Sequence, residues 1–247
     1  MQTIEVLALG LVFAIAGGVK GITGMGLPTV AVSLLGLWMA PAQAAALLVM
    51  PSLATNVAQC RGAHTRRLVR LLWPAWLALA VVTVWAPGFD KTGSAIDPHA
   101  LLGGVLVVYG LWGLWRPALP ALSQRASWLS AGLGAGIGAL TGLVTAATAV
   151  FVIPFVAYLQ ALRLDKDAMV QALGLSFTVA TLALAVRLHS SGAQMLLSAP
   201  SALALAAAFA GLWLGARVRA RISAAVFQRS LFLVFIGLGA ANLMRGH

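Results

Sequence analysis

The spacing of charges constrains this chain more than any other feature. Residues 21–60 contain no Asp, Glu, Lys or Arg, and neither do 71–89, 98–115, 126–162, 168–186 or 188–216. A helix crosses a bilayer with about 17–25 apolar residues, so each run is long enough for at least one crossing. The chain is 61% hydrophobic and 9% charged, whereas about a quarter of a soluble domain is charged. An all-α polytopic membrane protein is expected. The formal net charge of +11 would suggest nucleic acid in a soluble protein. Here the arginines flank the apolar runs, where positive charge borders membrane segments. The lipid bilayer is therefore the expected partner, and nucleic acid is not.

Two apolar segments are too long for one crossing and rich in glycine. The first runs from Ala14 through Gly17, Gly18, Gly21, Gly24 and Gly26 to Pro28. The second carries Gly132, Gly134, Gly136, Gly138 and Gly142, followed by Thr145, Thr148 and Pro154. They occupy corresponding places in the two halves. Paired Gly/Pro-interrupted segments mark the binding site in transporters built from inverted repeats.

The first repeat is expected over 1–120, with a hairpin at about 4–38 and spans at about 41–60, 68–88 and 98–115. The second covers 121–247, with a hairpin at about 127–160 and spans at about 167–187, 197–216 and 223–244. Pro41, Pro98 and Pro200 stand near helix starts, where a missing N–H costs nothing. The eight tryptophans fall near span ends, as an interfacial belt requires. If each long segment crosses once, the arginines at 61–70 and at 217–221 face opposite sides. If each is a re-entrant hairpin, the loops at 61–70, 116–125, 163–166 and 217–229 share one side, which collects twelve of the sixteen Lys and Arg. Lys91, Arg187 and Arg245 stay on the other side, and Lys20 lies within the first break. The positive-inside rule favours a hairpin for the second segment, and repeat symmetry extends it to the first, where no Lys or Arg precedes Lys20. One hairpin plus three spans then gives two halves of opposite orientation, with the hairpin tips meeting near the midplane and both termini non-cytoplasmic. The N-terminus lacks a basic start and a small-residue cleavage site, so the first apolar segment is expected to persist.

A broken helix exposes backbone N–H groups at its new N-terminus, which suits an anion. In the first hairpin that terminus is expected near Gly26–Pro28. Gly24 and Gly26 would let a ligand approach the backbone, and Thr23 would cap the helix or touch the ligand. Tight helix packing is the alternative role for these glycines. For Gly132, Gly134 and Gly136, packing is expected. Lys20 is the only charge between Val6 and Cys60. Intramembrane charge points to function, so Lys20 either anchors an anion, or it snorkels to the surface or satisfies carbonyls at the break. Thr141, Thr145 and Thr148 share a helical face and either line the site or bond their own backbone. Ser52, Thr55, Asn56 and Gln59 form a polar stripe on the second span, with Gln171, Ser176 and Thr178 as the approximate counterpart. The stripes border a substrate path or join helices.

Other chemistries find no support. His64, His99, His189 and His247 are scattered, and Cys60 is the only cysteine, so neither metal-ligand spacing nor an internal disulfide arises. Gly24-Met-Gly26-Leu-Pro-Thr29 ends in threonine, with no preceding nucleotide-binding strand. No P-loop and no nucleophile–base pair appears. No cofactor, metal or catalytic residue is expected. The five acids, Glu5, Asp90, Asp97, Asp165 and Asp167, lie at expected interfaces or in loops, so proton coupling would run through Lys20, the substrate or an interfacial acid.

The chain resembles the sulfite exporter TauE/SafE family, also called the toluene sulfonate uptake permeases. The residues that carry the resemblance are Gly17-Gly18-x-x-Gly21-x-x-Gly24-x-Gly26, Pro41-Ala-Gln-Ala-Ala and Pro51-Ser-Leu-Ala-Thr-Asn56. The second half adds Gly138-x-x-x-Gly142, Pro154, Asp165-Lys-Asp-Ala168 and Ser176. Thr145, Ala147 and Thr148 stand where such sequences continue with glycine. The resemblance implies export or uptake of small sulfur-containing anions such as sulfite, sulfonates or sulfoacetate. The expected protein is a multi-pass secondary transporter of the inner membrane, with room for a coupling ion and for oligomerisation. Its anion site is expected between the hairpin tips, from Lys20, Thr23, Gly24, Gly26, Ser52, Asn56, Thr145, Thr148, Gln171 and Ser176. A passive anion channel of the same architecture is the alternative.

Overall fold

The computed structural model describes residues 3–86, 97–115, 119–124, 127–190, 198–219, 221 and 223–245. Asp90, Lys91, Arg116 and Arg125, which entered the charge argument above, lie outside the described residues. Among those described, ten helices and no strands form: α1 (Thr3–Thr23), α2 (Leu27–Leu35), α3 (Pro41–Cys60), α4 (Thr65–Trp85), α5 (Pro98–Trp115), α6 (Trp128–Thr148), α7 (Phe155–Ala161), α8 (Lys166–Ser190), α9 (Ala199–Val218) and α10 (Ala224–Arg245). Seven of them, α1, α4, α5, α6, α8, α9 and α10, are long and apolar enough to cross a membrane. Helix α3 is as long but carries Gln43, Ser52, Thr55, Asn56 and Gln59, which lowers its hydropathy.

Gly17, Gly18 and Gly21 stay inside α1 and Gly132 to Gly142 inside α6, whereas Gly24 and Gly26 stand at the first break. Both α1 and α6 run unbroken for 21 residues, about 31 Å at 1.5 Å per residue. Glycine in a helix costs roughly 0.5–1 kcal/mol relative to alanine, and close backbone approach offsets that cost. A Cβ on Gly17 would lie 2.1 Å from the Ala208 carbonyl oxygen, and one on Gly211 would lie 2.0 Å from that of Ala14. A Cβ on Gly138 would lie 2.1 Å from the Ala75 oxygen. Helix α1 is thereby pressed onto α9, and α6 onto α4. Gly132 and Gly136 depart from the packing expected of them: a Cβ on either would meet nothing within 4 Å. Only Gly134 packs, with its Cβ position 3.1 Å from the Tyr158 hydroxyl.

The chain breaks one turn later in each segment, and in the same way. Thr23 Oγ1 lies 2.8 Å from Val19 O and accepts from Met25 N at 3.2 Å. Thr148 Oγ1 donates to Val144 O at 2.8 Å and accepts from Val150 N at 3.2 Å. Each partner pair is 125 positions apart. Gly24 and Ala149, also 125 apart, both turn left-handed, at φ 83° and 57°. Helix–helix packing follows the same exchange: α1 on α9 corresponds to α6 on α4, and α3 packs against α8 and α5 against α10.

The two breaks lie at opposite ends of the bundle, which corrects the expected meeting of tips near the midplane. Gly21 faces Leu212 to Ala216 near the end of α9, and Gln59, near the end of α3, donates to Gly24 O at 2.6 Å. Gly142 instead faces Leu79 and Thr83 near the end of α4, and Thr145 and Thr148 share a cavity with Pro41 and Ala46 at the start of α3. The stretch of α3 from Ala46 to Gln59 is about 20 Å of helix. The breaks fall at the ends of the bundle because α1 runs on through Gly17, Gly18 and Gly21, and α6 through Gly132 to Gly142.

Contacts tie the basic turns together at one end. Gln171 donates to Cys60 O and Gly62 O at 3.1 and 3.2 Å, Arg67 donates to Gln124, and Gln124 donates to Leu162 O at 2.8 Å. Leu122 N also donates to Ala161 O at 2.8 Å. The segment entering α6 and the one leaving α7 thus lie side by side. The end of α5 meets the start of α10 through Gly113 and Phe232.

Candidate functional site

Lys20 is 3% exposed, within the last turn of α1. Its Nζ donates to Thr55 Oγ1 at 2.9 Å and to Asn56 Oδ1. Both partners lie on α3, beyond Pro51. Proline removes one helical donor, and the Thr55 hydroxyl in turn reaches Pro51 O at 2.7 Å. Among the described residues no carboxylate forms a salt bridge with Lys20. The structure thus excludes a lysine that snorkels to the surface. A buried cation without a counter-charge is costly.

The surrounding side chains are donors with capacity left over. Asn56, 1% exposed, uses Oδ1 on Lys20, while its Nδ2 has no protein partner. The ammonium fixes that orientation, because a flipped amide would set NH2 against NH3⁺. Ser52 Oγ, one turn earlier on α3, is likewise buried and unpartnered. Lys20, Thr55 and Asn56 are thus hydrogen-bonded together, with Ser52 one turn away on α3.

Thr23, Gly24 and Gly26 follow directly at the break. Gly26 is the N-cap of α2 at φ 97°, so the new helix begins where expected. Thr23 also reaches Met25 O, at 2.7 Å, and so caps the break. Thr23, Met25 and Gly26 border a cavity of about 240 Å³ walled by Tyr109, Trp112 and Phe232.

The remaining four candidates lie elsewhere. Thr145 and Thr148 stand at the opposite end of the bundle, and their hydroxyls donate to Thr141 O and Val144 O at 2.7 and 2.8 Å. Both hydroxyls bond their own backbone, and both residues also stand in the wall of the cavity at that end. Gln171 braces the turn after α3: besides the two carbonyls it donates to Thr65 Oγ1 at 2.7 Å and accepts from His64 N at 3.0 Å. Ser176 accepts from Trp76 Nε1 at 2.9 Å and donates to Ala172 O at 2.6 Å, joining α8 to α4. The stripe reading thus divides: α3 carries the polar cluster, while Gln171 and Ser176 on α8 join helices. Gln59, the last residue of the stripe on α3, takes the helix-joining role and locks the first break to α3 through Gly24 O.

Among the described residues no group of three or more His, Cys, Asp or Glu could hold a metal ion. No curated protein and no solved structure gives a match. The family model described as "Sulfite exporter TauE/SafE" matches residues 9–243, which includes both helix breaks, the Lys20 cluster and all seven apolar helices in whole or in most part. This multi-pass membrane protein therefore belongs to the sulfite exporter TauE/SafE family.

Proposed function

We propose that the protein is a secondary transporter for a small anion of the sulfur-oxyanion or organosulfonate class, with Lys20 as the anchor of its binding site. One observation carries the reading: a buried ammonium has no carboxylate partner among the described residues, while Asn56 Nδ2 and Ser52 Oγ beside it keep unused hydrogen-bonding capacity. The described cluster lacks negative charge and leaves Asn56 Nδ2 without an acceptor, and an oxyanion supplies both.

The architecture we propose for this function is an inverted repeat of two re-entrant hairpins, each followed by three spans. The matching helix ends 125 residues apart and the exchangeable helix pairs support it. The end that gathers Arg61, Arg66, Arg67, Arg163, Arg217 and Arg219 is taken as cytoplasmic under the positive-inside rule. The anion site then lies toward the cytoplasmic side rather than between the tips, and alternating access would carry the ligand past break one.

Flux into proteoliposomes tests the carrier reading. Saturable sulfite uptake, accelerated by sulfite preloaded inside, is the expected result. Conductance far above carrier turnover, with no counterflow, would identify a passive channel instead.

A further inference from the structure

We infer a binding site for a small aromatic molecule that carries a hydrogen-bond acceptor, in the cavity between the first break and the second half of the chain. The inference does not rest on the transporter reading, because neither Lys20 nor its partners on α3 stand among the described wall residues. Four segments enclose the cavity: the first break, α5, residues 152–160 and α10. Its aromatic walls are set by close packing. Gly113 lets the Phe232 ring lie against α5, since a Cβ there would fall 2.3 Å from that ring's Cε1. Tyr109 meets Phe232 edge-on, with ring centroids 5.5 Å apart, and Phe235 at 5.3 Å. Ring pairs favour such spacings and angles, so the rings hold one another in place.

The Tyr109 hydroxyl points to a ligand. Tyr109 lines the cavity and is 8% exposed. Among the described residues its hydroxyl has no hydrogen-bond partner, although a buried tyrosine normally finds one. Ring packing alone accounts for the aromatic walls, but a phenylalanine would pack equally well and leave no polar group to satisfy. A water molecule there would need about two to four polar partners, while Tyr109 is flanked by the Phe232 and Phe235 rings. The indole of Trp112, also in the wall, is a donor only, and the phenol can donate. A ligand that serves this wall therefore presents an acceptor oxygen. Size narrows the class further. The cavity measures about 240 Å³. An apolar cavity of about 150 Å³ takes benzene, and drug-sized ligands occupy about 300 Å³ or more. One substituted ring fits between these limits, its face or edge on the aromatic wall and its acceptor on the Tyr109 hydroxyl.

The probe is 4-fluoroacetophenone, with 4-fluoroethylbenzene as the matching ring without an acceptor. Fluorine NMR with purified protein in one detergent reads the bound fraction of each. The parent should bind 4-fluoroacetophenone saturably, and 4-fluoroethylbenzene about two- to tenfold more weakly, the loss expected for one neutral hydrogen bond. Tyr109→Phe keeps the ring and should weaken 4-fluoroacetophenone by the same factor while leaving 4-fluoroethylbenzene unchanged. A structural role for Tyr109 would move both probes together, and an acyl chain or detergent tail in the cavity would be indifferent to the hydroxyl. Ala157→Leu fills the cavity from α7 and should abolish both bound signals. Melting curves check that each variant is folded; Tyr109→Phe breaks no hydrogen bond among the described residues, so it serves even if Ala157→Leu is unstable. The inference is overturned by the absence of saturable binding to the parent, by binding that survives in folded Ala157→Leu, or by a Tyr109→Phe variant that leaves 4-fluoroacetophenone unchanged or weakens both probes equally.

Discussion

Gly136 and Gly138 sit two residues apart on α6, and alanine at each should change stability in opposite directions. The Cβ added at position 138 falls 2.1 Å from Ala75 O and 2.8 Å from its carbonyl carbon. Both contacts are backbone, so no rotamer can relieve them. Restoring ordinary contact requires α6 and α4 to part by more than about 1 Å, and overpacking of this kind costs about 1–3 kcal/mol. The gain in helix propensity, roughly 0.5–1 kcal/mol, offsets only part of it. At position 136 the Cβ meets nothing within 4 Å, so only the gain remains. At about 2–4 °C per kcal/mol for a chain of this size, Gly138→Ala should melt several degrees lower and Gly136→Ala about 1–4 °C higher. Melting of purified protein in one detergent, at one scan rate, reads both. Gly138→Ala melting at or above the parent, or Gly136→Ala falling as far as Gly138→Ala, refutes the account of how α6 packs.

Other outcomes follow from the same contacts. Gln171→Leu removes the partner of His64 N and of the carbonyls of Cys60 and Gly62 at a partly exposed turn, where each lost bond is worth a net ~0.5–1.5 kcal/mol; a loss of thermal stability is expected, with no change in anion selectivity. Asp165 lies outside the spans and accepts from Ala168 N at 2.8 Å. That bond, with His64 and Arg67 nearby, holds its carboxyl below the ordinary value of 3.8. Its stabilising contribution is therefore present above about pH 3.8 and fades as the pH falls through the lower folded-state value. Asp165→Asn should flatten the acid limb of a melting-versus-pH curve, and an unchanged limb contradicts the capping role. Single cysteines at positions 66 and 219 should label from the same face of right-side-out vesicles, and labelling from opposite faces would contradict the inverted repeat.

Much of the architecture was readable from charge-free runs and proline positions. The spans at 41–60 and 98–115 coincide with α3 and α5, and the others shift by at most a few residues. Those boundaries follow local rules, because charge and proline act on their own segments. The start of α2 at Leu27 was also legible, since Gly24 and Gly26 take positive φ. What the residues concealed was tertiary. Gly17 and Gly138 look like helix breakers until α9 and α4 are pressed against them. The hairpin depth depends on that distinction, and so does the place of Thr145 and Thr148. Gln171 was taken for a site residue because its role as a brace depends on the return of α8 beside the 60–65 turn. Lys20 stands out in the sequence itself, because a charge amid apolar residues is conspicuous whatever the fold.

The central claim is that Lys20 anchors the anion, and direct binding to its variants tests it best. Sulfite and a small sulfonate would be titrated calorimetrically against the parent, Lys20→Met and Lys20→Arg, with melting curves as a folding control. Loss of a charged hydrogen bond, worth about 1.5–3 kcal/mol, should weaken binding to Lys20→Met by roughly ten- to a hundredfold. Lys20→Arg should keep part of the affinity, because charge survives while geometry changes. Lys20→Met should also remain folded, since it removes a buried charge that lacks a carboxylate partner. If Lys20→Met binds the same anion as tightly as the parent does, the cluster around Lys20 is a structural feature of the helix break and not the binding site.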